Sequence, residues 1–174
     1  MNEKFLVDYY RMTGNKFKYG VRSIIRILYC HQIRYVSWWR KYEDKSSLLT
    51  RLILYRYSRK FGLEISTKAE IDKGLYLGHP YNITVAGGVK MGKNVNLHKG
   101  CTIGRENRGA RVGCPIIGDC VYIGINATVV GNITIGNDVM IAPNSFVNFN
   151  VPDNSIVLEI LHRFIIKKKQ QKDI

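Results

Sequence analysis

Apolar residues recur every six positions through most of the second half of the chain. Ile65, Ile71 and Leu77 form one run, and Val85, Met91, Leu97 and Ile103 a second. A third run holds Ile117, Ile123, Val129, Ile135, Ile141 and Val147. In that last run a small residue usually follows the anchor: Gly118, Gly124, Gly136, Ala142. Four places after the anchor sits a second small or apolar residue, as at Val121, Ala127, Ile133, Val139 and Ser145. A period of six fits neither an α-helix nor an alternating strand. It predicts a hexapeptide β-solenoid, in which each side of a triangular coil is one short strand and the anchors stack inside.

The register breaks twice. Leu77 and Val85 are eight apart, which places two extra residues in the stretch Gly78-His79-Pro80-Tyr81-Asn82. Ile103 and Ile117 are fourteen apart, which predicts a looped excursion from Arg105 to Pro115. Coils are constrained by stacking, so such interruptions are where function is expected. Three hexapeptides make one turn, so Leu77 stacks on Leu97 and brings His98 within one residue of the position above His79.

Residues 1–62 have a different pattern. Val21, Ile24, Ile25, Leu28 and Ile33 recur at roughly helical spacing, with Arg22, Arg26 and Arg34 among them. A second helix starts at Ser46 or Ser47 as N-cap and runs through Leu48, Leu49, Leu52 and Ile53. Between them, Trp38 to Tyr42 mixes aromatics with cations. The chain is thus read as a basic helical segment (1–62), a mainly β domain of hexapeptide repeats (63–157) and a basic tail (158–174).

Charge sharpens this division. The whole chain carries 27 Lys+Arg against 13 Asp+Glu, a net +14, and residues 1–62 account for +10 of it with 14 basic and 4 acidic residues. Such charge attracts anionic partners. The helical segment either packs on the protein body or a neighbouring subunit, or lies on an anionic membrane, which its Trp, Tyr, Lys and Arg content favours. Nucleic acid is not expected as a partner, because no recognised binding motif accompanies the charge.

Composition excludes several other classes. With 45% hydrophobic and 23% charged residues in 174 positions, the chain has the makings of a single packed core. No apolar run approaches a membrane span, and the charged first 20 residues do not read as a signal peptide. Cys30, Cys101, Cys114 and Cys120 show no CxxC spacing and are read as reduced thiols of a cytoplasmic protein, with no metal site.

Gly78-His79-Pro80-Tyr81-Asn82, Cys101-Thr102-Ile103-Gly104-Arg105, Cys114-Pro115 and Gly131-Asn132-Ile133 together resemble the hexapeptide acyltransferases, most closely their serine acetyltransferase branch. The resemblance covers residues 63–157 and implies a left-handed parallel β-helix, a homotrimer, and acetyl-CoA as co-substrate. It implies that His79 is the base that takes the proton from an acceptor hydroxyl, and that Glu64 stands where the family has an orienting aspartate. A neutral imidazole at cytoplasmic pH suits that task.

Two departures bear on the acceptor. The aspartate that the family places before its histidine is Gly78 here, and the second histidine, of a His-Pro pair, is Cys114, preceded by Gly113. A site without that carboxylate has little to offer an ammonium group. A sugar or polysaccharide hydroxyl is therefore the expected acceptor, with serine the alternative. His98 is a candidate replacement for the second histidine, and Cys114 reads as a passive pocket thiol, since no base is fixed beside it in sequence.

The resemblance also implies that CoA lies between adjacent solenoids, against Gly124, Ala127, Gly131, Asn132, Ala142 and Ser145, with Arg163 near its phosphates. After Val157 the family has a Gly-Asn-Pro turn where this chain reads Leu158-Glu159-Ile160-Leu161. That change raises a second alternative, a trimeric scaffold of weak activity.

Overall fold

The computed structural model describes residues 2–158. Four helices come first: α1 (Glu3–Thr13), α2 (Val21–Tyr29), α3 (His31–Asp44) and α4 (Leu48–Phe61). Fourteen short strands, β1 to β14, follow in three parallel sheets. The first sheet joins β1 (Leu63–Ile65), β4 (Ile83–Val85), β7 (Thr102–Gly104), β10 (Thr128–Val130) and β13 (Phe146–Val147). The second has the order β11 (Thr134–Ile135), β8 (Ile116–Ile117), β5 (Lys90–Met91), β2 (Glu70–Ile71). The third has β14 (Ile156–Val157), β12 (Met140–Ile141), β9 (Tyr122–Ile123), β6 (Asn96–His98) and β3 (Tyr76–Gly78). Each strand pairs with the strand one coil away, as a left-handed hexapeptide β-helix requires.

All thirteen six-spaced anchors are buried, none more than 5% exposed. They face inward because successive strand side chains alternate, and only one per strand can stack in the narrow interior. The corners are built by left-handed residues. Where the third sheet passes into the first, Asn82, Gly100, Asn126 and Asn144 have φ of 54°, 75°, 57° and 62°. Asn and Gly tolerate that region best.

The helices cover the open end of the solenoid. β1, β2 and β3 each have a strand neighbour on one side only, so the first coil presents unpaired backbone groups. Asp8 of α1, fully buried, accepts from Gly74 N–H at 2.7 Å and Leu75 N–H at 2.8 Å. Arg40 of α3, also buried, donates to Asp8 at 2.8 Å and to the carbonyls of Ile71 and Asp72 at 2.7 Å each. Arg11 donates to Gly74 O at 2.7 Å. Together they complete a terminal cap.

The helical reading needs two corrections. The run from Val21 to Ile33 is not one helix but breaks at Cys30, whose extended backbone (φ −86°, ψ 102°) separates α2 from α3. Trp38 to Tyr42 lies inside α3 rather than between helices, because Ile33, Val36, Trp39 and Arg40 supply its buried face. Ser47 does cap α4, through a reciprocal capping box with Thr50. Helix α1 lies within the segment read as helical, although no pattern over residues 3–13 marks it in the sequence.

Candidate active site

Two edges of the prism carry the candidate residues. At the edge between the third and first sheets, the eight-residue step turns through His79 and Asn82, both left-handed, with His79 at φ 49°. That conformation is uncommon for histidine. It is fixed by a tight turn in which Tyr81 N–H donates to His79 O at 2.8 Å, and it leaves the imidazole exposed.

Gly78, one residue earlier, pairs in register with His98 across β3 and β6. A β-carbon on Gly78 would stand 2.5 Å from His98 Nδ1 and 2.6 Å from Cε1. The space that a larger residue would fill at position 78 is therefore taken by the His98 ring. That ring also lies between Tyr76 and Tyr122, with centroids 6.1 and 4.6 Å away. Burial lowers the His98 pKa below the usual imidazole value, and the charge of His79 nearby lowers it further. Both effects favour the neutral form of the His98 ring.

Beneath the loop lies a residue that sequence reasoning missed. His31, first residue of α3, stacks on Phe61 at 4.6 Å between centroids and contacts Tyr81 at 5.1 Å. Burial lowers its pKa, an effect that the backbone of Pro80 opposes. No spacing in the sequence links position 31 to position 80.

Glu64 points outward from β1, opposite Thr84 of β4. Its carboxylate accepts from Ser58 Oγ at 3.1 Å, and among the described residues no hydrogen bond joins it to His79.

Gly113 and Cys114 lie at a different edge, between the first and second sheets, where the long excursion emerges. Glu106 and Gly113 pair through two antiparallel backbone bonds of 2.9 and 3.0 Å, so the loop is a small hairpin. Asn132 N–H donates to Arg111 O at 2.9 Å, which ties the hairpin to the next coil. Cys114 Sγ donates to Gly87 O at 3.3 Å, a contact within the coil stack. Within one chain, then, His79, Gly78 and His98 share one edge, and Cys114, Gly131 and Asn132 share another.

The remaining candidates stack along the His79 edge. Ala127 and Ser145 face the solenoid interior at 0% and 2% exposure, and their backbone groups are taken up by bonds within the coils, so they shape the edge without touching a ligand directly. Gly124 is needed for stacking itself, since a β-carbon there would meet Pro143 N at 2.6 Å. The N–H groups of Gly124 and Ala142 bond the carbonyls of Ile141 and Val157 at 2.9 Å each. Asn132 is exposed and Ala142 half-buried, so these two offer side chains to a bound molecule. Arg163 lies outside the described residues.

Comparison with known proteins agrees with the fold. Residues 114–148 match the family model of the bacterial transferase hexapeptide (six repeats). The chain is 34% identical over 145 residues to the putative colanic acid biosynthesis acetyltransferase WcaB of Escherichia coli K12, covering 80% of this chain and 88% of that protein. It is 34% identical over 142 residues to a serine acetyltransferase of Staphylococcus xylosus, covering 81% of this chain but only 62% of that protein. The Neisseria gonorrhoeae serine acetyltransferase, solved in complex with serine, superposes with a TM-score of 0.75 at 26% identity, over 91% of this chain and 66% of that one. The chain therefore belongs to the hexapeptide-repeat acyltransferases, in the branch that holds the serine acetyltransferases and WcaB.

Proposed function

We propose that the protein is an acetyl-CoA-dependent O-acetyltransferase of the cytoplasm, acting on a hydroxyl of a sugar or polysaccharide precursor. His79 takes the proton from that hydroxyl as its oxygen attacks the thioester carbonyl. The tetrahedral intermediate then collapses, the C–S bond breaks, and the departing CoA sulfur takes the proton from the imidazolium, which leaves the imidazole neutral again. In this reading Glu64 is a positioning residue that turns from Ser58 to the imidazole.

The Gly78–His98 pair carries the acceptor assignment. Position 78 has no carboxylate, and His98 occupies the space beside it as a neutral ring. Such a site offers hydrogen bonds to a polyol and no counter-charge to an ammonium group. Serine is the second reading, favoured by the likeness to the serine-bound Neisseria enzyme.

The same reading makes the protein a homotrimer. Cys114 and Asn132 stand at one edge and His79 at another, so a neighbour laying its hairpin beside the His79 edge would complete the site and form the groove for CoA. Thiol release from acetyl-CoA, measured with a panel of sugars, nucleotide sugars and serine, tests the proposal. Release that depends on a sugar supports it. Release that depends on serine alone favours the second reading, and silence with every acceptor favours a weakly active scaffold.

A further inference from the structure

Two helices carry apolar stripes that face away from the protein. On α2, Val21, Ile24, Ile25 and Leu28 recur at helical spacing, yet they are 46–71% exposed and the buried residue of that helix is Ser23. On α4, Leu48, Leu49, Leu52 and Tyr55 are 53–73% exposed, while Thr50, Leu54 and Tyr57 turn inward. Arg34 joins the two helices, donating from Nη1 to Leu28 O at 2.9 Å and from Nε to the Tyr57 hydroxyl. Exposed apolar stripes of this kind mark a contact site.

Charge identifies what covers it. Arg22 and Arg26 interrupt the α2 stripe, Arg51 interrupts that of α4, and Arg56, Arg59 and Lys60 follow it in the same helix. None of these six forms an ion pair among the described residues. Between Asp8 and Glu64 the only acidic residues are Glu43 and Asp44. Both are engaged elsewhere, Glu43 by Lys4 and Arg40 and Asp44 by Asn2. A second copy of this surface would set these six cations against six more. An anionic bilayer would instead take the aliphatic side chains between its lipids and pair its headgroups with the cations. Tyr19 and Tyr29, each 83% exposed at the two ends of α2, suit the headgroup level.

We infer that α2 and α4 form a surface that docks the protein on an anionic lipid bilayer. The test is co-sedimentation of the full chain with vesicles of phosphatidylcholine alone or mixed with phosphatidylglycerol, without any acceptor, so its outcome is independent of acetyl transfer. The protein should pellet with the mixed vesicles only, and be released at about 1 M salt, where charges are screened beyond roughly 3 Å. Arg22→Gln and Arg26→Gln should each weaken binding roughly fivefold. Ile24→Ser with Leu28→Ser should weaken it further while thermal unfolding and thiol release are unchanged. Equal binding to neutral vesicles, or no binding, overturns the inference. So does a stripe variant that keeps vesicle binding but lowers the mass by light scattering, since a second copy would then be the occupant.

Discussion

Gly78 and His98 occupy one space: they pair across the β3–β6 ladder, and a β-carbon on Gly78 would lie 2.5 Å from His98 Nδ1. Gly78→Ala should therefore force the His98 ring aside and destabilise the protein by about 1–3 kcal/mol, the usual cost of overpacking. His98→Ala should relieve that clash, so the double variant should unfold at less urea-equivalent cost than the two single effects added. A double-mutant cycle by urea denaturation measures the coupling, expected at about 0.5–3 kcal/mol. Strict additivity would show that the two positions do not compete.

His79 should be the residue whose loss slows turnover most. His79→Asn keeps a hydrogen-bonding side chain but cannot take the proton, so kcat should fall about 10²- to 10⁴-fold while acetyl-CoA binding barely changes. Glu64→Gln should cost less, since in the proposed mechanism the carboxylate acts only through the imidazole. Wild-type kcat in His79→Asn, with a verified acceptor at saturating acetyl-CoA, would leave His98 as the next candidate.

His98 should titrate below the ordinary imidazole value of 6.5 in an NMR pH series, because burial and the neighbouring His79 both oppose its charge. In His79→Ala the midpoint should rise only part of the way, since burial is the larger cause. The sign for stability follows from proton linkage. A lowered folded-state pKa means that on acidification the unfolded chain takes the proton first, so this contribution is fully present above pH 6.5 and is lost as pH falls towards the folded midpoint. A His98 midpoint at or above 6.5 contradicts the packing described.

The Asp8–Arg40 pair should be costly to break from either side. Asp8→Ala leaves the buried guanidinium with Glu43 as its one remaining acidic partner among the described residues and frees the N–H groups of Gly74 and Leu75. Removing one partner of a buried pair typically costs about 3–5 kcal/mol. Urea denaturation followed by circular dichroism reads this directly, and a loss under about 1 kcal/mol would place the pair at a wet surface instead.

A shared site predicts complementation between protomers. In the proposed trimer, His79→Ala removes the base, and cutting the 106–113 hairpin to a short turn removes the overhanging loop. Mixed and re-associated, the two inactive proteins should regain part of the wild-type rate, since some interfaces then combine an intact His79 edge with an intact hairpin. Mixtures as inactive as their parents would mean that each site is built by one chain.

The solenoid was legible in the sequence because its constraint is local and repeated. Every coil must put one apolar residue inward at the same point, so Ile117 to Val147 announce the fold six residues at a time. The breaks at Gly78–Asn82 and Arg105–Pro115 were legible for the same reason, as departures from a strict period. What the period cannot carry is contact between distant positions. Only the tertiary structure shows Asp8 and Arg40 closing the first coil, His31 under the Pro80–Tyr81 turn, and His98 filling the space beside Gly78. Spacing alone also could not tell which way an amphipathic helix faces. The pattern of Val21, Ile24, Ile25 and Leu28 is the same whether the stripe is buried or exposed, and packing turned it outward because α2 meets the protein through Ser23 and Ile27. Periodicity reports which residues share a face, and the partners of that face are chosen by the rest of the chain.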